Sequence, residues 1–255
     1  VEGGRAANDF ASLAPALDKL IALTREQAAA KADALGLDPY DALLDSYDPG
    51  RRAADVDVLF ADLESFLPAL LGEVMEHQRR GEQALPIEGP FPIALQERIG
   101  REVMGLMGFD FAHGRLDVSH HPFTGGVPDD SRITTRYDER DFTESLMATI
   151  HETGHSLYER GLPKEWRTQP VGRARGMTIH ESQSLLFEMQ AGRTEPFIAF
   201  LAPRLKQAFG GEGPAWQPDN ILRHYRRVAP GFIRVQADEV TYPLHVMLRY
   251  RLERA

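Results

Sequence analysis

Cysteine is absent from the 255 residues. Disulfides and thiolate zinc sites are therefore excluded, and a bound metal has only His, Asp and Glu to hold it. The same absence fits a reducing compartment, and a cytoplasmic location is the expectation. Basic charge is in short supply: 29 Lys and Arg stand against 38 Asp and Glu, a formal charge of −9. Nucleic-acid binding wants a basic footprint, so no nucleic-acid partner is expected. Long uncharged apolar runs are missing, which excludes a membrane-spanning helix. The opening VEGGRAANDF has neither the basic n-region nor the apolar core of a secretory signal. There is no initiator Met, and the closing RYRLERA reads as a helix with no cap signal after it. The chain is thus expected to be a fragment or a processed form of a longer one. What remains is an ordinary globular composition, 42% hydrophobic and 26% charged, with enough apolar side chains for a sizeable core.

Helical periodicity dominates what is present. Phe10, Leu13, Leu17, Leu20 and Leu23 recur at three- and four-residue steps, with Ile21 beside them, and predict a helix over 7–36. A turn-rich connector, DPYDALLDSYDPG, leads to a helix over 55–80 with Val58, Leu59, Leu63, Phe66, Leu67, Leu70 and Leu71 on one stripe. Pro68 inside that run is expected to kink or split it. LPIEGPFP is a Pro-rich break, and Ile93–Met107 restarts a helix. From Phe109 to Tyr137 the texture changes. LDVSHHPFTGG and SRITTRY are short, β-branched and aromatic, and they predict an antiparallel hairpin or small three-stranded sheet. Helices are expected again over 141–160, 178–192, EPFIAFLAPRLKQAFGG, 219–228 and 237–253. The fold class is mainly α: many helices with a small antiparallel β insert ahead of the helix at 141–160. One catalytic region is expected, with a helical part at 1–113 and a metal and substrate part at 114–255.

Inside the 141–160 helix stands ATIHETGHSLY, an HExxH motif. Residues four apart on a helix share a face, so His151 and His155 can aim two imidazoles at one point. Neutral imidazole nitrogens suit zinc. Glu152 is poorly angled to share the ion. It can instead take a proton from the attacking water and later give it to a leaving amine. Gly154 lets another segment approach the helix closely, and its cost of about 1 kcal/mol relative to Ala suggests that something does. With nine histidines in the chain, HExxH can also arise by chance on a solvated or core helix. Phe142, Leu146, Ile150 and Leu157 give this helix an apolar side to bury. A third ligand is needed, and MTIHESQSLLFE supplies His180 and Glu181 on another helix. A Glu facing the first helix, Glu181, would complete the set. Glu159, Glu188 and His180 are rivals, and the bland alternative for His180 and Glu181 is a solvated helix face.

Five blocks in order carry a resemblance: HHPF at His120–Phe123, DSRITTRY at Asp130–Tyr137, HETGH at His151–His155, HESQS at His180–Ser184 and IRVQADEVTYP at Ile233–Pro243. The chain resembles the carboxypeptidase Taq family, thermostable metal-dependent carboxypeptidases of nearly all-α fold. The resemblance is dense from Gly114 onward and rests on helical texture before it. It implies His151, His155 and Glu181 as ligands and Glu152 as general base. Two departures stand out. Members usually follow HESQS with Arg and a Trp-Glu-Asn run, where this chain has LLFEMQAGRT. A later block, GxxQDxHW, is not reached, and members are longer at the N-terminus.

A carboxypeptidase must hold a free α-carboxylate, and an Arg fork is the expected device. Arg132, Arg136 and Arg234 are candidates. The resemblance favours Arg234, with Arg132 in support. The alternatives are structural pairs, Arg132 with Asp130 or Asp129 and Arg234 with Asp238. Tyr242 and His245 are candidates for stabilising the oxyanion. His121 is a candidate for touching substrate or backing the metal. The expected protein is a carboxypeptidase with one zinc (or cobalt) ion, acting on peptides with a free C-terminus, and a homodimer. An endopeptidase or oligopeptidase with the same metal core is the alternative within enzymes. Because the later block is absent, an inactive metal-binding module is the alternative outside them.

Overall fold

The computed structural model describes residues 3–4 and 7–255. Two compact units divide the chain. One runs to Asp62 and takes in Arg254–Ala255; the other is Leu63–Glu253. The helical part expected over 1–113 runs across that boundary.

The first unit holds α1 (Ala14–Leu35) and α2 (Pro39–Leu44), which lie against each other through buried Ala28 and Ala42. Gly36 closes α1 in the left-handed region at φ 66°, and its N–H bonds the Ala32 carbonyl. The segment expected to be only a turn-rich connector therefore contains a short helix. Its Asp41 carboxylate accepts the Ala53 N–H at 2.7 Å, at the start of α3 (Ala53–Arg80). Pro68 does not divide α3, because the helix continues on both sides of it. The apolar stripes are real but face outward: Phe10, Leu20, Ile21, Leu23, Val58, Leu59 and Phe66 are all exposed, and Leu67 is buried. Periodicity identifies a face and not what the face meets.

The second unit is built around one helix. α4 (Ile93–Met107) is followed by strands β1 (Gly114–Val118), β2 (Phe123–Val127) and β3 (Asp130–Thr135). β2 and β3 form the expected antiparallel hairpin over a two-residue turn, with Gly126 at φ 99° beside it. β1, however, pairs parallel to β3, giving the order β1-β3-β2 and a mixed sheet. The sheet packs on α5 (Thr143–Gly161). Asp141 starts that helix by accepting the Thr143 N–H and hydroxyl at 2.7 and 2.6 Å. α6 (Met177–Leu185) continues into a π-turn over Leu186–Ala191. α7 (Glu195–Phe209), capped by the Thr194 hydroxyl, α8 (Pro218–Tyr225) and α9 (Tyr242–Arg254) complete the chain. α9 starts later than the 237 expected, since Asp238 caps the turn ahead of it.

The core joins α4, α5, α7 and α8. Ile99, Val103, Phe142, Leu146, Ile150, Ile198, Leu201, Leu205, Trp216 and Ile221 are buried together. Phe142 stacks on Trp216 at 6.2 Å, and Phe91 meets Phe142 edge-on at 5.0 Å. Each such side chain contributes about 1.5–3 kcal/mol by leaving water. Phe142, Leu146 and Ile150 thus fix one side of α5 and hold its histidine-bearing side in place. Where β3 meets α5 the contact is small and polar: the Ser131 and Ser156 hydroxyls bond at 2.6 Å, and Thr135 donates to the Ser145 carbonyl at 3.3 Å.

Candidate metal centre

His151 and His155 stand one turn apart on α5, with ring centroids 4.9 Å apart. α6 crosses α5 at Gly154. A Cβ there would lie 2.7 Å from Ser184 Cα and 2.9 Å from the Gln183 carbonyl oxygen, so only glycine permits the approach. The approach brings Glu181 to the histidines. Its Oε2 lies 3.0 Å from His155 Nε2 and 3.6 Å from His151 Nε2. The three donor atoms are all within 4.8 Å of one another. Donors about 2.0–2.1 Å from a tetrahedral ion sit about 3.3 Å apart, so the spacing fits a divalent cation held by two imidazoles and a carboxylate.

The electrostatics draw a proton into this cluster. Burial pulls His151 down, but the neighbouring carboxylates of Glu181 and Glu188 outweigh it and push His151 up to about 10. The imidazoles of His151 and His155 beside it hold Glu181 well below the usual carboxylate range. Cation affinity is thus built into the cluster.

The rivals for the third ligand all sit behind the histidines. His151 Nδ1 lies 2.9 Å from Glu188 Oε2. Glu188 Oε1 accepts from Arg193 Nη2 at 3.1 Å. His155 Nδ1 lies 2.6 Å from His180 Nδ1, and His180 Nε2 lies 2.9 Å from Glu159 Oε1. The His151 and His155 rings are therefore both engaged through Nδ1, and both present Nε2 to Glu181. This layered use of His180, Glu159 and Glu188 is one that helical spacing could not separate from ligation.

Glu152 is 7% exposed. The Thr124 hydroxyl on β2 lies 2.7 Å from its Oε2 and 2.8 Å from its carbonyl oxygen, and donates to one of them. Sequence reasoning missed Thr124. Only the sheet pairing brings it to α5, although it directly follows the HHPF block.

The remaining candidates make clusters of their own. Arg132 Nη2 pairs with Asp130 Oδ2 at 2.7 Å, the structural alternative noted from sequence. Arg136 lies 3.5 Å from Glu144. Arg234 does not pair with Asp238. It donates to the Tyr242 hydroxyl at 2.9 Å and lies over that ring at 5.6 Å. Asp238 accepts from the N–H groups of Ala229, Val240 and Thr241 and from the Thr241 hydroxyl. His121 is exposed, and its carbonyl accepts from the Thr134 hydroxyl at 3.2 Å. His245 is half-buried in the first turn of α9. Arg234 and Tyr242 are brought together, while Arg132 is drawn to its neighbour on the sheet.

A mainly helical fold with a small sheet, carrying HExxH and a Glu that faces its two histidines, is an arrangement suited to a metallopeptidase. Residues 2–255 match the family described as Carboxypeptidase Taq (M32) metallopeptidase. Thermostable carboxypeptidase 1 of Thermus thermophilus is 40% identical over 100% of this chain and 51% of its own length. Its namesake from Pyrococcus furiosus is 37% identical over 99% and 50%. Among solved structures, Trypanosoma cruzi metallocarboxypeptidase 1 superposes with a TM-score of 0.93 at 50% identity, covering 99% of this chain and 51% of that one. The M32 carboxypeptidase of Deinococcus radiodurans gives 0.86 at 34%, covering 98% and 50%. The chain belongs to the carboxypeptidase Taq (M32) metallopeptidase family. It spans about half the length of the relatives it matches.

Proposed function

We propose that this chain carries the centre of a metallocarboxypeptidase that releases C-terminal residues from peptides. His151, His155 and Glu181 would hold one zinc or cobalt ion. The observation that carries the reading is the spacing of those three donors, 3.0 and 3.6 Å from the carboxylate oxygen to the two imidazoles. The ion, when bound, supplies Lewis acidity at the scissile carbonyl and at the attacking water. Glu152 takes the proton from that water and delivers it to the leaving amine, and Thr124 keeps its carboxylate aimed. Arg234 binds the terminal carboxylate of the substrate, since Arg132 is already neutralised by Asp130. His121 contributes to substrate binding. Tyr242, oriented by Arg234, and His245 stabilise the oxyanion. A homodimer in the cytoplasm belongs to the same reading. An endopeptidase with this core would not need Arg234.

The test is a metal-replete assay on an N-blocked dipeptide with a free C-terminus. A chelator should abolish turnover, and zinc or cobalt should restore it. Full turnover in chelator would refute the metal role. Because the chain spans half of its relatives' length, a metal-binding module without turnover is the second reading. Tight zinc binding with no hydrolysis of any peptide would favour it.

A further inference from the structure

Glu188 sits seven residues after Glu181, two helical turns further along the same side of the α6 segment. The two carboxylates grip one imidazole from opposite edges. Glu181 Oε2 is 3.6 Å from His151 Nε2, and Glu188 Oε2 is 2.9 Å from His151 Nδ1. The backbone that carries Glu188 is not α-helical. It lies in the π-turn Leu186–Ala191, closed by the Gly192 N–H bonding the Phe187 carbonyl at 2.7 Å, five residues back. Such turns are uncommon and recur at functional sites.

The Glu188 side chain is only 15% exposed and that of its partner Arg193 14%. Burying this ion pair costs desolvation, so a merely structural contact would be better made by apolar side chains. Arg193 is anchored in turn: its Nη1 donates to the Tyr225 carbonyl at 3.3 Å, which ties it to the end of α8. An ionised carboxylate can only accept, so His151 Nδ1 must be the donor in the contact with Glu188. A neutral His151 then has its free lone pair on Nε2, the atom facing Glu181.

We infer that Glu188, clamped by Arg193, is a positioning residue for the metal ligand His151, fixing its tautomer and ring orientation so that Nε2 meets the cation. The inference rests on the metal-site reading above. His155 is backed differently, by the imidazole of His180 with Glu159 behind it. The charge that sharpens the site electronically therefore reaches His151 directly and His155 through a relay.

The experiment is zinc affinity of the 255-residue chain, by competition with a chromophoric chelator, for wild type, Glu188→Gln, Glu188→Ala and His151→Ala. Loss of a carboxylate behind a ligating His weakens metal binding by roughly 10–100-fold, which is the expected result for Glu188→Ala. Glu188→Gln keeps the shape and an acceptor oxygen and should fall between. It decides the matter if Glu188→Ala, which leaves Arg193 unpaired, fails to fold. In zinc-loaded wild type the His151 Nδ1 proton should be slow to exchange in long-range ¹H–¹⁵N spectra, and it should exchange faster in both Glu188 variants. Lowered thermal stability alone would not move that signal. Unchanged zinc affinity and an unchanged Nδ1 proton in the Glu188 variants, with binding lost in His151→Ala, would overturn the positioning role. Wild-type zinc affinity in His151→Ala would instead overturn the metal-site reading beneath it.

Discussion

Adding one methyl group at Gly154 should damage the metal centre more than the fold. The new Cβ would lie 2.7 Å from Ser184 Cα, 2.9 Å from the Gln183 carbonyl oxygen and 3.2 Å from Phe187 Cδ2. Carbon atoms rest about 3.5–4.0 Å apart, so α6 must retreat by about 1 Å. Two of the three clashes are with backbone, which cannot turn aside as a flexible side chain can. Overpacking of this kind costs about 1–3 kcal/mol. Alanine returns about 1 kcal/mol of helix propensity on α5. The net loss of stability is therefore small, about 1 kcal/mol. The site tolerates far less, because metal–ligand distances hold within about 0.2 Å. A 1 Å retreat of α6 carries Glu181 out of reach of an ion seated on His151 and His155. Gly154→Ala should therefore lower zinc affinity at least about tenfold, as one lost ligand would, while the melting curve in chelator shifts only a few degrees. Chelator-competition titration and thermal melts of the metal-free protein read the two effects separately. A variant that melts higher and binds zinc as wild type would refute the close-approach argument.

Other outcomes are expected. Glu152→Gln should keep zinc near wild-type content while turnover falls roughly 10²–10⁴-fold, read by metal analysis beside the peptidase assay; loss of the metal would make Glu152 a ligand. Thr124→Val should lower kcat with zinc affinity unchanged, and Thr124→Ser should restore it, because the bond to Glu152 needs only the hydroxyl. Arg234→Ala should lose about 1.5–3 kcal/mol of kcat/KM, some ten- to a hundredfold, on a free-acid peptide and barely change cleavage of the amidated one. Equal losses on both would make Arg234 a support for Tyr242. Zinc uptake should release a proton from His151, which the metal-free site holds up to about pH 10, so apparent affinity should rise about tenfold per pH unit below that value. The sign for stability is opposite. With the folded pKa above the ordinary 6.5, this proton's contribution to the metal-free fold is fully present below pH 6.5 and lost as pH rises through about 10. Melts in chelator across that range check it.

Local pattern made much of this legible. The apolar steps Phe142, Leu146 and Ile150 announce α5 and its buried side, and the four-residue spacing of His151 and His155 announces their shared face. The cost of a glycine at 154 pointed to a close neighbour, and α6 is that neighbour. Pattern preferred Glu181 to Glu159, Glu188 and His180 but could not say what the other three do. All four lie within one cluster, and which nitrogen of each ring they meet depends on how α6 crosses α5. Thr124 was hidden for a similar reason, since sheet pairing and not spacing brings it to Glu152. The parallel pairing of β1 is likewise a long-range choice that alternation of side chains does not record. On α1 and α3 the periodicity named a face, but much of that face is exposed, with Leu67 buried.

The central claim is that His151, His155 and Glu181 hold the ion, and a zinc-edge anomalous difference map from zinc-loaded crystals tests it most directly. The expected result is one peak about 2.0–2.1 Å from His151 Nε2 and His155 Nε2 and about 2.0–2.2 Å from Glu181 Oε2. A peak on the Nδ1 side, between His151 and Glu188, or one away from α5 altogether, would contradict it.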